Sequence, residues 1–554
     1  MNSKLNVCIV GSFRECVDAL EGLGHNVLNV TRNGNFFCDL PDILEKNNFK
    51  PDLLLQIESL GERTIVQGLD ELDCPTAFWA MDPHLNLHWH SAYARLFDQT
   101  FSTQKAMVPV LKNAGVPDVR WLPMYAYELD SPAISIRKND IGFVGRINNQ
   151  RRGRKQMVEF IDSRIGDYSF PVEQNLGFNE MLTFYQDTKI IPNESILGEV
   201  NFRLFEGASC GALVLTQDLG EEQASLFEPG REIDTYADVL ELEEKLKLYL
   251  GNDRLVQVMG QAAHARVQAE HLAVHRIEKI LDYVKDGSRN RASGADAGRW
   301  LAITLAAMWE SGMHNLPVHD VLSRLAAFKQ VESLVVSMLR VQAASGMYQM
   351  LEDNIMALLG SEFLVDSFDL NLTGSTAALR LDNWDAAKAF WYRQQKSMGA
   401  AAMLPPKTPK DLLILWTKDL KRRNRIFRGG FPFNPGLHLP YSAVDCLMVA
   451  YDSCPGDPEV AKLIDVMIRP FKELDQIRGD YLLGYAGTEP QDWRVLFELG
   501  ITDLHSYRLD QGMKNIALSE IIAREQGQER AFAMTLKARD DSGMISRRLG
   551  AIID

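Results

Sequence analysis

Over roughly the first half of the chain, short apolar runs alternate with stretches whose apolar residues recur at helical spacing. Residues 5–10 form an apolar run that ends at Gly11. A helical pattern follows to Leu23, and Gly24-His25 turns the chain into a second run at 27–30. Residues 52–57 are almost continuously apolar, as expected of a central parallel strand covered on both faces. Further strands are predicted at 76–80 and 98–101. The alternation restarts with 141–144, followed by Gly145, and continues through 189–191 and 212–215, with helices predicted over 239–250 and 254–284. Strands separated by helices imply right-handed βαβ units and doubly wound parallel sheets. Two such sheets in tandem would bind ligands at the carboxyl ends of their strands and together form a cleft.

Beyond a small, polar stretch at 289–298 the alternation is lost and the pattern becomes helical. Residues 383–391 place Trp384, Phe390 and Trp391 among alanines at helical spacing, and Gly512, Ala517 and Ile521 are spaced alike. This resembles the glycine-aromatic-alanine pattern of tetratricopeptide repeats without a clean period; an irregular helical bundle is the alternative. Residues 427–440, rich in Gly and Pro, are predicted to be a long loop between helices. The expected architecture is α/β: Rossmann-like domains at 1–135 and 136–288, joined by a linker at 127–139, then an all-α domain at 289–554.

Composition narrows the function. With 59 Lys+Arg against 74 Asp+Glu the formal charge is −15, which argues against binding to nucleic acid or anionic membranes at large. The 7 cysteines are scattered and form no CxxC pair, so they read as free thiols of a reducing, cytoplasmic setting. No apolar run approaches the ~20 residues of a membrane span. Oligomeric state is left open.

Three segments carry candidate chemistry. In 201–216 a short helix stops at Gly211 and a buried strand follows. Arg203 and Glu206, three apart, are neighbours on that helix, either as a local ion pair of little energetic weight or as ligand-binding groups. In 142–155, glycines lead from a strand into a helix that holds Arg146, Arg151, Arg152, Arg154 and Lys155. A helix N-terminus with cations favours an anion; the alternative is a solvated basic face, to which Arg152 and Arg154 are assigned. In 78–90, Asp82-Pro83 ends a strand and His84, His88 and His90 follow. Asp82 and His84 are candidates to position or deprotonate an acceptor. Otherwise Asp82 caps a helix and the histidines are half-exposed. No carboxylate or cysteine completes a zinc set there, so no metal is expected.

The segment Arg203-Leu204-Phe205-Glu206, with Gly211 and Leu215, resembles the donor-site motif of glycosyltransferases of GT-B fold, in particular the CgeB-like (spore maturation protein type) family. Residues 226–233, 261–267 and Glu270-His271 resemble later elements of that family. So do Phe143-Val144-Gly145 with Arg151-Arg152, and Trp79 with Asp82-Pro83. The resemblance covers about residues 1–285. It implies a metal-independent, retaining transfer of sugar from a nucleotide-diphosphate sugar to a protein or glycan acceptor, with no further cofactor. It places Glu206 on the ribose hydroxyls, a role suited to a carboxylate that accepts two hydrogen bonds. Gly145, Arg146, Arg151, Lys155, Asn193 and Arg203 would line the donor, the cations facing the diphosphate. Gly11 and Ser12 would form an acceptor-side loop. Where many retaining families carry an earlier glutamate, this chain has Gly198, with Glu199 one position off. A catalytically degenerate scaffold with a helical interaction domain is therefore the alternative, and an epimerase acting on the sugar nucleotide is a third.

Overall fold

A computed structural model describes residues 4–31, 36–59, 61, 63–130, 137–148, 151–287, 289–399 and 405–553. The chain divides into two compact units, one of Met1–Pro123 with Ile277–Pro455 and one of Met124–Arg276 with Gly456–Asp554.

The first unit contains strands β1 (Asn6–Val10), β2 (Asn26–Val30), β3 (Phe37–Asp39), β4 (Leu53–Ile57), β5 (Ile65–Gln67), β6 (Thr76–Ala80), β7 (Gln99–Ser102) and β8 (Val119–Trp121). Six of them form a parallel sheet in the order β2-β1-β4-β6-β7-β8, and β3 pairs with β5. The chain runs from β1 outward to β2 and later returns to the other side of β1 with β4. That reversal is the switch point at which open α/β sheets bind ligands. The apolar run of β4 is buried along its whole length, in agreement with its central position. After β6, Pro83 opens the helix Pro83–Tyr93 in the first turn, where its missing N–H is not needed.

The second unit contains β9 (Asn139–Ile141), β10 (Phe143–Val144), β11 (Val172–Glu173), β12 (Thr188–Asn193), β13 (Leu213–Gln217) and β14 (Asp234–Tyr236). Its parallel sheet runs β14-β13-β12-β9, with β10 paired to β11. The strand expected over 141–144 is divided at Gly142, where a Cβ would lie 2.7 Å from Thr188 Oγ1. The helix expected over 254–284 is also divided, into Asp253–Arg266, a π-turn Val267–His271 and Ala273–Asp286. Between them Leu272 is extended and bridges to Ala126, whose N–H donates to His271 O at 2.7 Å.

The helical region does not stand apart as one domain over 289–554. Helix Ala295–Glu310 places Ala297 and Met308 in the same apolar core as Cys8, Leu54, Phe78 and Trp89. Helices Trp493–His505 and Leu509–Glu525 place Trp493, Phe497 and Ile516 in the core of Ile141, Met157 and Leu213. Each sheet therefore has part of the helical region as its cover, because burying its outer apolar face needs a partner layer. Locally the helices pair as hairpins. Gly374 in Phe368–Arg380 makes room for the ring of Phe390 in Trp384–Ser397, and Gly500 lies against Gly512 O. The expected linker at 127–139 falls partly outside the described residues. Among the described residues no helix is long and apolar enough to cross a membrane.

Candidate functional site

Helix Phe202–Ser209 follows β12 and precedes β13. Leu204, Phe205 and Ala208 are buried. A Cβ on Gly207 would lie 2.6 Å from Val214 Cγ2, so glycine lets the helix lie close on the sheet. Arg203 points to the carboxyl ends of the strands. Its guanidinium donates to Asn193 Oδ1 at 2.9 Å and Val144 O at 3.1 Å and stacks over Phe143 at 4.5 Å. A Cβ on Gly145 would reach 3.0 Å from Arg203 Nη2. Arg203 thus ties the ends of β10 and β12 together. Asn193 is buried, and its amide also donates to Thr216 Oγ1 at 3.2 Å, so it positions Arg203.

Glu206 is half-buried one turn further on. Among the described residues it makes neither an ion pair with Arg203 nor any side-chain hydrogen bond. Burial pushes its pKa up to about 7, against the lowering effect of Arg203. The local ion pair considered from spacing alone is therefore not formed. A carboxylate beside a cation is left with its acceptor capacity unspent.

The basic segment divides. Arg146 and Lys155 are exposed, and Arg151 is half-buried at the N-cap of helix Arg152–Arg164. Lys155 Nζ lies 3.8 Å from Glu159. The Arg151 N–H donates to Asn148 Oδ1 at 3.1 Å. Arg152 and Arg154 depart from the solvated face expected of them. Arg152 pairs with Asp480 at 2.9 Å. Arg154, 4% exposed, pairs with Glu194 at 3.2 Å. Burial and the nearby Arg203 lower the Arg154 pKa to about 10, while burial raises that of Glu194. Glu199, near the position of the missing glutamate, is buried. It accepts from Ser195 Oγ at 2.8 Å and from the N–H groups of Ile196 at 3.0 Å and Leu197 at 2.8 Å, so it holds its own loop.

In the first unit Gly11 and Ser12 line a small cavity with Glu58, Ser59 and Arg63, at the carboxyl ends of β1 and β4. Gly11 has φ +144°, and a Cβ there would lie 2.9 Å from Ile57 O. Asp82 occupies the N-cap of Pro83–Tyr93 but makes no side-chain cap bond. Glu58 serves that end instead. It accepts from Met81 N at 2.8 Å, Asp82 N at 3.1 Å and Asn86 Nδ2 at 2.9 Å, and His90 Nε2 lies 3.1 Å from it. Burial alone would raise the Glu58 carboxyl, but His90 and the backbone N–H hold it below its usual value. Glu58 did not stand out in the sequence; the signal was an acid directly following a five-residue apolar strand. His84 and His88 share the helix, both half-buried. Among the described residues no group of three or more His, Cys, Asp or Glu side chains is arranged to hold a metal ion.

The class defined by this fold is that of parallel-sheet, Rossmann-like α/β domains with an added helical region. A family model described as glycosyl transferase-like matches residues 154–282, which include Lys155, Asn193, Arg203 and Glu206. No curated protein matches the chain. Similar solved structures include an alpha-glucosyltransferase in complex with UDP-glucose and DNA containing an abasic site, 13% identical, covering 51% of this chain and 100% of that one at a TM-score of 0.39. A glycosyltransferase from Rickettsia africae is 12% identical, with 51% and 99% covered and a TM-score of 0.39. Sucrose-phosphate synthase from Thermosynechococcus elongatus gives 12%, 51%, 99% and 0.39.

Proposed function

We propose that the chain is a glycosyltransferase whose second unit binds a nucleotide-diphosphate sugar without a metal or further cofactor and which transfers the sugar with retention to a protein or glycan. The observation that carries this reading is Glu206: a half-buried carboxylate with no side-chain hydrogen bond among the described residues, beside the Arg203 guanidinium, at the carboxyl ends of β10 and β12, inside the segment matched by the glycosyl transferase-like model. A vicinal diol is the ligand such an acceptor suits. Among the described residues Arg146 and Arg151 make no ion pair and Lys155 makes one of 3.8 Å with Glu159; all three would stabilise charge on a departing diphosphate. Asp82 and His84 would serve the acceptor.

Calorimetry with nucleoside diphosphates, without divalent metal, tests the donor site. Wild type is expected to bind one of them, and Glu206→Ala to weaken binding by at least about tenfold, ~1.4 kcal/mol. Unchanged affinity in the variant would refute the assignment. A second reading, a scaffold that binds the nucleotide sugar without transfer, is favoured by the engagement of Glu199 within its own loop. Donor consumption in the presence of acceptor separates the two.

A further inference from the structure

The small cavity beside Gly11 lies at the switch point of the first sheet, between the carboxyl ends of β1 and β4, where open α/β sheets bind ligands. It encloses about 10 Å³, room for one oxygen-sized group. Trp89, from the helix Pro83–Tyr93, and Arg63, from the β4–β5 connection, both line it, together with Ser12, Ser59 and Glu58. Trp89 is 2% exposed, and its Nε1 has no acceptor among the described residues. Arg63 Nε has none either, although another nitrogen of that guanidinium donates to Asn86 Oδ1 at 3.2 Å. Indole and guanidinium nitrogens can only donate, and a buried donor without an acceptor is costly. Two elements thus bring unspent donors to the wall of one cavity. Ser12 is exposed and Arg63 half-buried, so the cavity borders solvent.

Charge selects the group that fits. Arg63 and Glu58 line the same cavity with opposite charges, so no net positive charge is present to offset the cost of burying an anion. A hydroxyl is neutral, accepts from the two nitrogens and can donate in turn to a serine oxygen. We propose that this cavity receives one hydroxyl of a saccharide, held by Trp89 and Arg63. The proposal rests on the glycosyltransferase reading above and narrows its acceptor to a sugar. A sugar has one hydroxyl to be held and another to react, whereas a serine or threonine side chain has a single hydroxyl that cannot do both.

The test uses the full chain, isotopically labelled at the tryptophan indoles and titrated with glucose, galactose and mannose, with acetate as the anionic probe. At least one sugar is expected to move the Trp89 Nε1–H resonance downfield, as a gained acceptor does; Trp89→Phe identifies that resonance by its loss. Calorimetry with the same sugar should show binding weakened at least about fivefold in Trp89→Phe and in Arg63→Met, the equivalent of one hydrogen bond. Trp89 belongs to the core, so Ser12→Leu serves as a second variant. At that exposed position it should keep the melting temperature while blocking the cavity and removing sugar binding. The proposal is overturned if no sugar moves the resonance, which leaves the cavity to a water molecule, or if acetate moves it in place of the sugars. It is also overturned if sugar binding survives both Arg63→Met and Ser12→Leu. A separate titration with nucleoside diphosphates tells the two readings apart. Nucleotide binding without sugar binding overturns this inference alone, and sugar binding without nucleotide binding supports it while the donor assignment fails.

Discussion

Each unit places a glutamate near the carboxyl ends of its parallel strands, and the two fare in opposite ways. Glu58 is 3% exposed and is met by two backbone N–H groups, an amide and an imidazole; against burial, His90, the Asp82 N–H and the charge of Arg63 hold its carboxyl below the usual range. Glu206 keeps part of its surface in solvent, has only the field of Arg203 to stabilise it, and is pushed up to about 7. Burial acts on both in the same direction. The number of donors the fold supplies decides the sign. A carboxylate saturated by its own chain is a structural group, and one left unsaturated beside a cation is available to a ligand.

The sharpest way to break this contrast is to truncate the saturated member. Glu58→Ala strips the acceptor from Met81 N, Asp82 N, Asn86 and the neighbouring His90, and each buried donor left without an acceptor costs about 1–3 kcal/mol. Urea unfolding should show a loss of that size, with a smaller loss in Glu58→Gln. Glu206→Ala should not lower the unfolding midpoint, and at neutral pH should raise it if anything, because the buried charge it removes opposes folding. Comparable losses at the two positions would end the distinction.

A smaller effect is expected in the pH dependence, where the two carboxyls should pull in opposite directions. Glu58 has a folded pKa below its ordinary value of 4.5. Its contribution is present above that value and is lost as pH falls through the folded pKa. Glu206 is raised from 4.5 to about 7. Between those values the folded state holds more protons than the unfolded one, so its contribution falls as pH rises. Glu206→Gln should flatten stability across that interval, and Glu58→Gln should flatten it only on the acid side. Nucleotide binding should run against the Glu206 stability slope, strengthening as pH rises through about 7, because the ionised carboxylate is the better acceptor.

The sheets were largely legible in the sequence, since runs such as those of β1, β4 and β6 are long, apolar and bounded by turn residues. The missed strands β3, β5, β8, β11 and β14 have two or three residues each, too short for any period to show. The Arg203–Glu206 pair was visible from its spacing. Its partners were not, because Asn193 and Val144 arrive from other strands. Arg154 and Glu58 were misjudged or overlooked for the same reason: their burial depends on contacts 40 and 28 residues away. The division of the helical region was invisible, because helical periodicity shows which face is apolar and not which sheet will cover it.

The smallest predicted effect concerns that division. Tyr236 at the end of β14 donates to Asn193 O at 3.1 Å, so in its contact with Tyr507, 2.9 Å away, Tyr507 must be the donor. Tyr507 lies in the turn between helices Trp493–His505 and Leu509–Glu525, and through this pair they support the backbone of the residue that holds Arg203. Tyr507→Phe removes one buried hydrogen bond and nothing else of size, a loss of about 1 kcal/mol. Tyr236→Phe removes two and leaves Asn193 O without that donor, so it should cost about twice as much and also weaken nucleotide binding. Thermal unfolding and nucleotide titration of the two variants check the order. If Tyr507→Phe weakens binding as much as Tyr236→Phe, the final helices take part in the donor site itself and do more than brace it.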